Sequence, residues 1–325
     1  VKQRALELAA LSDRPDDAQG VALTPLERSE SAAGLDYRTV SITIDRGRRL
    51  AELTVRAPET TQPNDLAGIL QAGVNWWPLR LARELDDAIL HLRTNELEIG
   101  TWLLRAAGDP ERVLACDAAL DAHQNHWFVR ETRGFLRRCL ARLDVSSRTL
   151  FALIERGSCF VGTLLEIALA SDRCYIQALP EDAPSLQVSM LNFGAYPMVN
   201  GKARLAQRFY DDAAAIGAVR VTLGRPIDPQ RAVALGLVTG APDDLDWDDE
   251  IRLLLEERAS LSPDALTGLE ANLRFGVDET LETRIFGRLS AWQNWIFSRP
   301  NAVGDKGALK VYGKGEKAAF DYRRI

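Results

Sequence analysis

The chain has 325 residues, of which 46% are hydrophobic and 26% charged, and its formal net charge is -6. This composition is typical of a soluble globular protein with room for one large or two small domains. The acidic balance provides no general attraction for nucleic acid or anionic lipid, and no apolar run reaches the roughly 18 residues that a membrane span needs. We therefore expect neither a nucleic-acid partner nor a membrane. The four cysteines form no CxxC pair, which indicates a reducing compartment, the cytoplasm.

The first element is helical. VKQRALELAALSDRP places Leu8 and Leu11 on one face, and Asp13 and Pro15 are expected to end the helix. A helix that begins without a cap at the first residue suggests the downstream part of a longer protein. We interpret residues 1–36 as the tail helix of an upstream half, followed by a linker.

Residues 37–245 alternate between strand and helix patterns and predict an α/β core. Polar and apolar residues alternate over 37–58, which predicts a β-hairpin, and apolar residues spaced three and four apart predict a helix over 79–97. IGTWLLRAA is then a buried strand. A second amphipathic helix follows over 127–143, and TLFALIE over 149–155 is a short buried strand. The order of these elements predicts a β-β-α core with helices after it.

The stretch GSCFVGTLLEIALASDR combines a turn of small residues with an apolar helix that carries Glu166. Burying a carboxylate without a partner costs several kcal/mol or neutralises the group. Glu166 is therefore expected to be either a catalytic acid/base or an inherited position paired with an arginine or a backbone amide.

These residues resemble the crotonase (enoyl-CoA hydratase/isomerase) superfamily. GSCFVGTLLEIALASDRCYIQA is similar to the family's turn and helix, with Glu166 at the acid/base position and Asp172 at the helix end. GRPIDPQRAVALGLV and SPDAL resemble later family segments. The resemblance implies a divergent crotonase-like α/β fold over residues 37–245, a coenzyme A thioester substrate, and no metal or redox cofactor.

Longer runs, including NWWPL, HWFVRET and ETRIFGRLSAWQNWIF, resemble the C-terminal half of one larger member of the family. That resemblance implies a ring-opening lyase acting on 2,3-epoxybenzoyl-CoA in aerobic benzoate degradation. It implies that an upstream crotonase half carries out the chemistry and that this chain serves as scaffold and dimer contact. This chain alone is therefore expected to be inactive. Two alternatives stay open: a self-contained hydratase or isomerase that uses Glu166, and an acyl-CoA-binding module without catalysis.

The resemblance also implies site residues. Two backbone amides that stabilise an enolate-like oxyanion would be those of Ala118 and Thr163, and one of them would lie at a helix N-terminus. This chain departs from the family pattern, because Asp117 stands where a glycine is usual and Met190 stands where a second carboxylate is usual. Near the C-terminus, Lys317 and Phe320 match residues that hold the nucleotide end of coenzyme A, often in a neighbouring subunit.

Residues 246–325 are expected to be helical and to form a dimer contact. Apolar residues recur there at spacings of four, three and four: Ile285, Leu289, Trp292 and Ile296. A stripe of this width needs a partner surface, either a second subunit or the chain's own core. Pro300 is expected to end the helix.

Two further groups could hold a metal ion, but each has a simpler interpretation. His123 and His126, three apart on a predicted helix, are either two ligands or polar residues without a metal. The acidic residues from Asp243 to Asp249 resemble a calcium loop only in charge, and we interpret them as capping a helix that begins near Trp247. No metal site is expected.

Overall fold

A single seven-stranded sheet organises the computed structural model, which describes residues 1–12 and 19–324. The strands lie in the order of the sequence. Neighbours from β1 to β4 are antiparallel, and neighbours from β4 to β7 are parallel. The strands are β1 Ser29–Ser31, β2 Gly34–Asp36, β3 Val40–Asp45, β4 Leu50–Arg56, β5 Thr101–Ala107, β6 Thr149–Ile154 and β7 Arg173–Ile176.

Helices follow each of the parallel strands and form the C-terminal region. The α-helices are α1 Lys2–Ala9, α2 Leu66–Ala72, α3 Trp77–Asn95, α4 Pro110–Ala122, α5 Trp127–Asp144, α6 Gly162–Leu169, α7 Arg204–Arg208, α8 Ala213–Arg220, α9 Pro229–Ala234, α10 Trp247–Ser260, α11 Pro263–Arg274, α12 Ser290–Phe297, α13 Pro300–Val303 and α14 Ala308–Val311. Short 3-10 turns occupy Gly73–Asn75 and Met190–Phe193, and a π-helix over Thr283–Leu289 leads into α12.

The hydrophobic core lies mainly on one face of the sheet, where α3 and α5 pack. β3 alternates, with Val40, Ile42 and Ile44 buried, because only one of its faces is covered. β6 is buried at all six positions, as is usual for a parallel strand covered on both faces. α10 covers the second face through Trp247 and other apolar residues.

The structure confirms the hairpin and most of the predicted elements, and it differs from the expectations in several places. β1 and β2 belong to the sheet, so the domain boundary expected after residue 36 falls beside strands that are continuous with the core. Residues 110–122 form α4, a helix that the sequence analysis did not predict. The helix stop expected at Asp13 and Pro15 lies outside the described residues, and Leu8 and Leu11 are exposed.

The apolar stripe of the C-terminal region divides between a half-buried contact with α11 and solvent. Trp292 and Ile296 pack beside Gly268 of α11. Ile285 and Leu289, in contrast, are about two fifths exposed, at 39% and 42%. A helix begins again at Pro300, so the proline both ends one helix and starts the next. Within residues 1–12 and 19–324, the structure contains no helix with the length and apolarity needed to cross a membrane.

Candidate functional site at the start of helix α6

The turn after β6 brings the first residues of α6 into the protein interior. Gly162, the first residue of α6, has φ +49°, a backbone conformation that glycine adopts at little cost. A Cβ at this position would collide with the carboxylate of Asp117. A glycine is therefore required at position 162, because the Asp117 side chain occupies the space that a Cβ would fill.

Asp117 occupies the N-terminal end of α6. Its Oδ2 accepts hydrogen bonds from the backbone N–H of Thr163 at 2.9 Å and from the hydroxyl of Ser189 at 2.7 Å. Its Oδ1 accepts from the Thr163 hydroxyl at 2.5 Å, and that hydroxyl also meets the Tyr196 hydroxyl at 3.0 Å. Asp117 is only 2% exposed. The Thr163 amide, expected to face a substrate oxyanion, thus donates to a carboxylate that the chain itself supplies.

The second expected amide, that of Ala118, lies in a helix. Ala118 lies well inside α4, where each backbone N–H donates to the carbonyl four residues earlier. Within α4 the backbone N–H of Ala118 belongs to the helix, so the structure does not present it together with the Thr163 amide as a pair of free donors. The same helix presents Asp117, the preceding residue, to the start of α6.

Glu166 is paired with an arginine. Its Oε2 accepts from Arg204 Nη1 at 3.0 Å, its Oε1 accepts from Asn192 Nδ2 at 2.8 Å, and the residue is 1% exposed. Arg204 also binds Asp144, with 2.9 Å between Nη2 and Oδ1, and donates to the carbonyl of Tyr196. Both carboxylate oxygens of Glu166 therefore have partners within the protein.

Burial dominates the electrostatics of these carboxyl groups. It raises the pKa of Asp117 to about 6, although the hydrogen bonds from Thr163 and Ser189 act in the opposite direction. Burial also raises the pKa of Glu166 and of Asp144, in each case against the attraction of Arg204. The carboxylates of Glu166 and Asp144 and the guanidinium of Arg204 therefore form a buried network of charged groups that are paired with one another.

The remaining residues of the expected site lie apart from this network or point away from it. Met190 is 52% exposed at the start of its 3-10 turn, so the position of the second carboxylate faces solvent. Asp172, at the end of α6, accepts from the backbone N–H of Leu150 at 2.8 Å and pairs with Arg274 at 2.6 Å. These contacts join the end of α6 to β6 and α11.

The residues expected to hold coenzyme A lie at the other edge of the sheet. Phe320 contacts Tyr322, with 6.3 Å between ring centroids, and the Arg49 guanidinium lies 3.5 Å from the Tyr322 ring centroid. Arg49 is in the turn before β4, where β5 and β6 also begin, whereas Thr163 follows the end of β6. Lys317 is exposed. Within one chain, the structure does not bring Lys317 and Phe320 to Thr163.

The two histidines do not share a helix as expected, because α4 ends at Ala122 and α5 begins at Trp127. His123 ends α4 and its Nε2 lies 2.9 Å from the carbonyl of Asn64, while His126 precedes α5 and its Nδ1 accepts from the Phe128 amide. The acidic run instead stabilises the turn before α10, where Asp243 accepts from two backbone amides. In the part of the chain that the structure describes, no group of three or more His, Cys, Asp or Glu side chains could hold a metal ion.

Sequence reasoning did not identify several residues of the buried network: Asp144, Ser189, Asn192, Tyr196 and Arg204. Arg204 lies 38 residues from Glu166, and nothing in a single sequence links the two. Asp117 is recognisable in the sequence as a departure from the family pattern. An Asp-Pro pair at Asp109 and Pro110 was a signal for the start of α4, and α4 explains where Asp117 points.

Comparison with solved structures identifies the fold. An enoyl-CoA hydratase from Geobacillus kaustophilus matches with a TM-score of 0.62 at 16% identity, covering 92% of this chain and 100% of that one. An enoyl-CoA hydratase from Mycobacterium smegmatis matches with a TM-score of 0.61 at 14% identity, covering 86% and 98%. The chain therefore has the crotonase fold, as its resemblance to that family predicted.

Comparison of sequences gives a more specific relative. Over 325 residues, the chain is 58% identical to a benzoyl-CoA-dihydrodiol lyase from Aromatoleum evansii. The alignment covers the whole of this chain and 59% of that protein, so the chain spans less than two thirds of its relative's length. No protein-family model matches the chain. The predicted similarity to one part of a larger lyase is confirmed.

Proposed function

We propose that this chain is one part of a ring-opening lyase that acts on an aromatic coenzyme A thioester, with 2,3-epoxybenzoyl-CoA as substrate. We further propose that it corresponds to the C-terminal half, that it supports the assembly, and that an upstream crotonase half carries the reacting groups. The 58% identity to benzoyl-CoA-dihydrodiol lyase supports the substrate class. The Asp117 carboxylate at the N-terminus of α6 is the observation that carries the supporting role.

The physical reason is competition for the same donor. An oxyanion site stabilises charge that develops in the transition state, and this requires a free amide aimed at the reacting oxygen. Here the Thr163 amide already donates to a carboxylate. A substrate oxyanion would have to displace Asp117 and would experience repulsion from its negative charge. Glu166, with both oxygens bound by Asn192 and Arg204, is equally poorly placed for proton transfer.

The proposal is tested in the full-length lyase by following loss of epoxybenzoyl-CoA and release of formate. Glu166→Gln is expected to keep turnover within a few-fold of wild type, because the reaction takes place elsewhere. A loss of about a thousandfold, which corresponds to roughly 4 kcal/mol of barrier, with unchanged thermal stability would refute the supporting role and favour a hydratase-like enzyme that uses Glu166. Saturable hydration of crotonyl-CoA by the purified 325-residue chain would also refute it.

We also propose that the chain forms a homodimer through the exposed part of the C-terminal stripe. Phe286 is 78% exposed, and it adjoins the partly exposed Ile285 and Leu289 on the π-helix. Apolar side chains at an exposed helix face gain about 25 cal/mol per Å² when a partner covers them.

The four cysteines are buried and unbridged, which supports a cytoplasmic location. The proposed reaction uses no metal or redox cofactor.

A further inference from the structure

A cavity that no expected function uses lies between the end of α5, α11 and α12. Its volume is about 330 Å³, which falls at the lower end of the range for small-molecule sites. The side chains that matter for the argument are those of Arg93, Glu270, Arg274, Phe275, Arg288 and Trp292. The cavity lies near the edge at which β6 begins, away from Thr163.

Most of the charged groups at this cavity are already neutralised. Arg274 pairs with Asp172 at 2.6 Å, and Arg288 pairs with Glu279 at 2.8 Å. The carboxylate of Glu270 binds the buried guanidinium of Arg324, also at 2.6 Å. A second carboxylate at the wall, from Asp144, is the one held by Arg204. The lining carboxylates are therefore occupied and leave no acidic partner for a further cation.

Arg93 is the lining arginine without such a partner. Among the residues that the structure describes, its guanidinium has neither a hydrogen bond nor an ion pair, and the side chain is only partly exposed. It lies in the last turn of α3. Its five N–H donors form a planar fork that matches a carboxylate.

A second positive charge without an ion pair of its own lies next to it. Arg148 is 1% exposed and donates only to backbone carbonyls, namely those of Ser146, Ser147 and Arg93, while its Nε has no partner. Burial and the nearby cations Arg324 and Arg93 lower the pKa of Arg148 to about 10, against the attraction of Glu270, whose carboxylate is bound to Arg324. A buried cation with so little compensation is costly, so an anion held at Arg93 would stabilise this corner of the protein.

The other walls of the cavity favour a flat apolar body. Phe275 and Trp292 both line it, and aromatic side chains pack well against aromatic ligands. We propose that this cavity binds a small aromatic carboxylate, with the carboxylate on Arg93 and the ring between Phe275 and Trp292. This site is separate from the proposed lyase function and holds whether or not that proposal is correct.

The experiment titrates the purified 325-residue chain with benzoate and follows binding by calorimetry and by the thermal unfolding midpoint. Benzamide, which has the same shape without the charge, tests the need for an anion. Arg93→Met removes the proposed carboxylate partner, and Arg137→Met, at an exposed arginine of α5, is the matched control. Ala271→Leu fills the cavity from α11 without changing its charge.

We expect one benzoate site per chain and a higher unfolding midpoint with benzoate. Affinity should fall at least about tenfold in Arg93→Met, which is the loss expected for a charge-assisted hydrogen bond, and stay unchanged in Arg137→Met. Ala271→Leu should bind no benzoate while unfolding near the wild-type temperature. The proposal is overturned if wild type binds no benzoate at about 10 mM, if benzamide binds equally well, or if the two arginine variants bind alike.

Discussion

Replacing Asp117 by asparagine tests the buried carboxylate at the start of α6. The shape is conserved, and every hydrogen bond can be kept. Asn Oδ1 can accept from the Thr163 amide and the Ser189 hydroxyl, and Asn Nδ2 can donate to the Thr163 hydroxyl, which then donates to Tyr196. The principal change is the loss of an ionisable group.

The size and sign of the effect follow from the pKa of Asp117, raised in the folded state from 3.8 to about 6. Between these two values the folded protein holds a proton that the unfolded chain has released, so wild-type stability falls as the pH rises through this range. A difference of about two pKa units corresponds to about 3 kcal/mol. The asparagine side chain has no proton to release. The free energy of unfolding of Asp117→Asn, relative to that of wild type, should therefore rise by about 3 kcal/mol between about pH 4 and pH 7.

The assay is urea unfolding followed by circular dichroism at several pH values and constant ionic strength. Asp121→Asn, on the same helix and outside the network, controls for the general effect of removing a carboxylate from α4. A difference between Asp117→Asn and wild type that stays constant with pH, or falls as the pH rises, would refute the reasoning. It would mean that Asp117 is not a carboxyl group whose ionised form is disfavoured by burial.

Other substitutions test the rest of the network and the assembly. Arg204→Met should lower the free energy of unfolding by about 3–5 kcal/mol, because it leaves two buried carboxylates without a cation; a loss below about 1 kcal/mol in urea unfolding would contradict this. Glu166→Gln should lower the unfolding midpoint while leaving lyase turnover within a few-fold of wild type, as measured by calorimetry and formate release. Thr163→Gly should give no gain in turnover in the same assay, and a clear gain would reveal a latent site. Phe286→Glu with Leu289→Glu should convert dimer to monomer in analytical ultracentrifugation while circular dichroism is unchanged, and a surviving dimer would place the contact elsewhere.

Local patterns made the strands and long helices predictable, and α4 shows where such patterns fail. The hairpin, β5 and β6 have short apolar or alternating patterns that require only neighbouring residues to be interpreted. In α4 the residue types do not follow burial, since the charged Asp117 is buried and the apolar Ala118 beside it is exposed. Periodicity therefore gave no signal there, and only the Asp-Pro start could have indicated a helix. The amide expected at Ala118 was placed by resemblance to the family alone, with no local signal for the helix that contains it.

For Glu166, the sequence limits the possible roles of the side chain but does not identify its partner. An acidic residue within an apolar helix must be paired or neutralised, and the sequence analysis allowed an arginine as that partner. The identity of the partner depends on the packing of α7 against α6, which brings Arg204 to Glu166 from 38 residues away. Such a contact is a tertiary property, and only the structure identifies it.

Gly162 depends both on α4, which local patterns did not predict, and on a tertiary contact. The structure gives the glycine at this turn a specific cause, because the space beside it is filled by Asp117 from α4. A carboxylate at the positive end of a helix has the charge and hydrogen-bond geometry of a bound anion. The start of α6 therefore binds an anion, and this anion is a side chain of the protein itself.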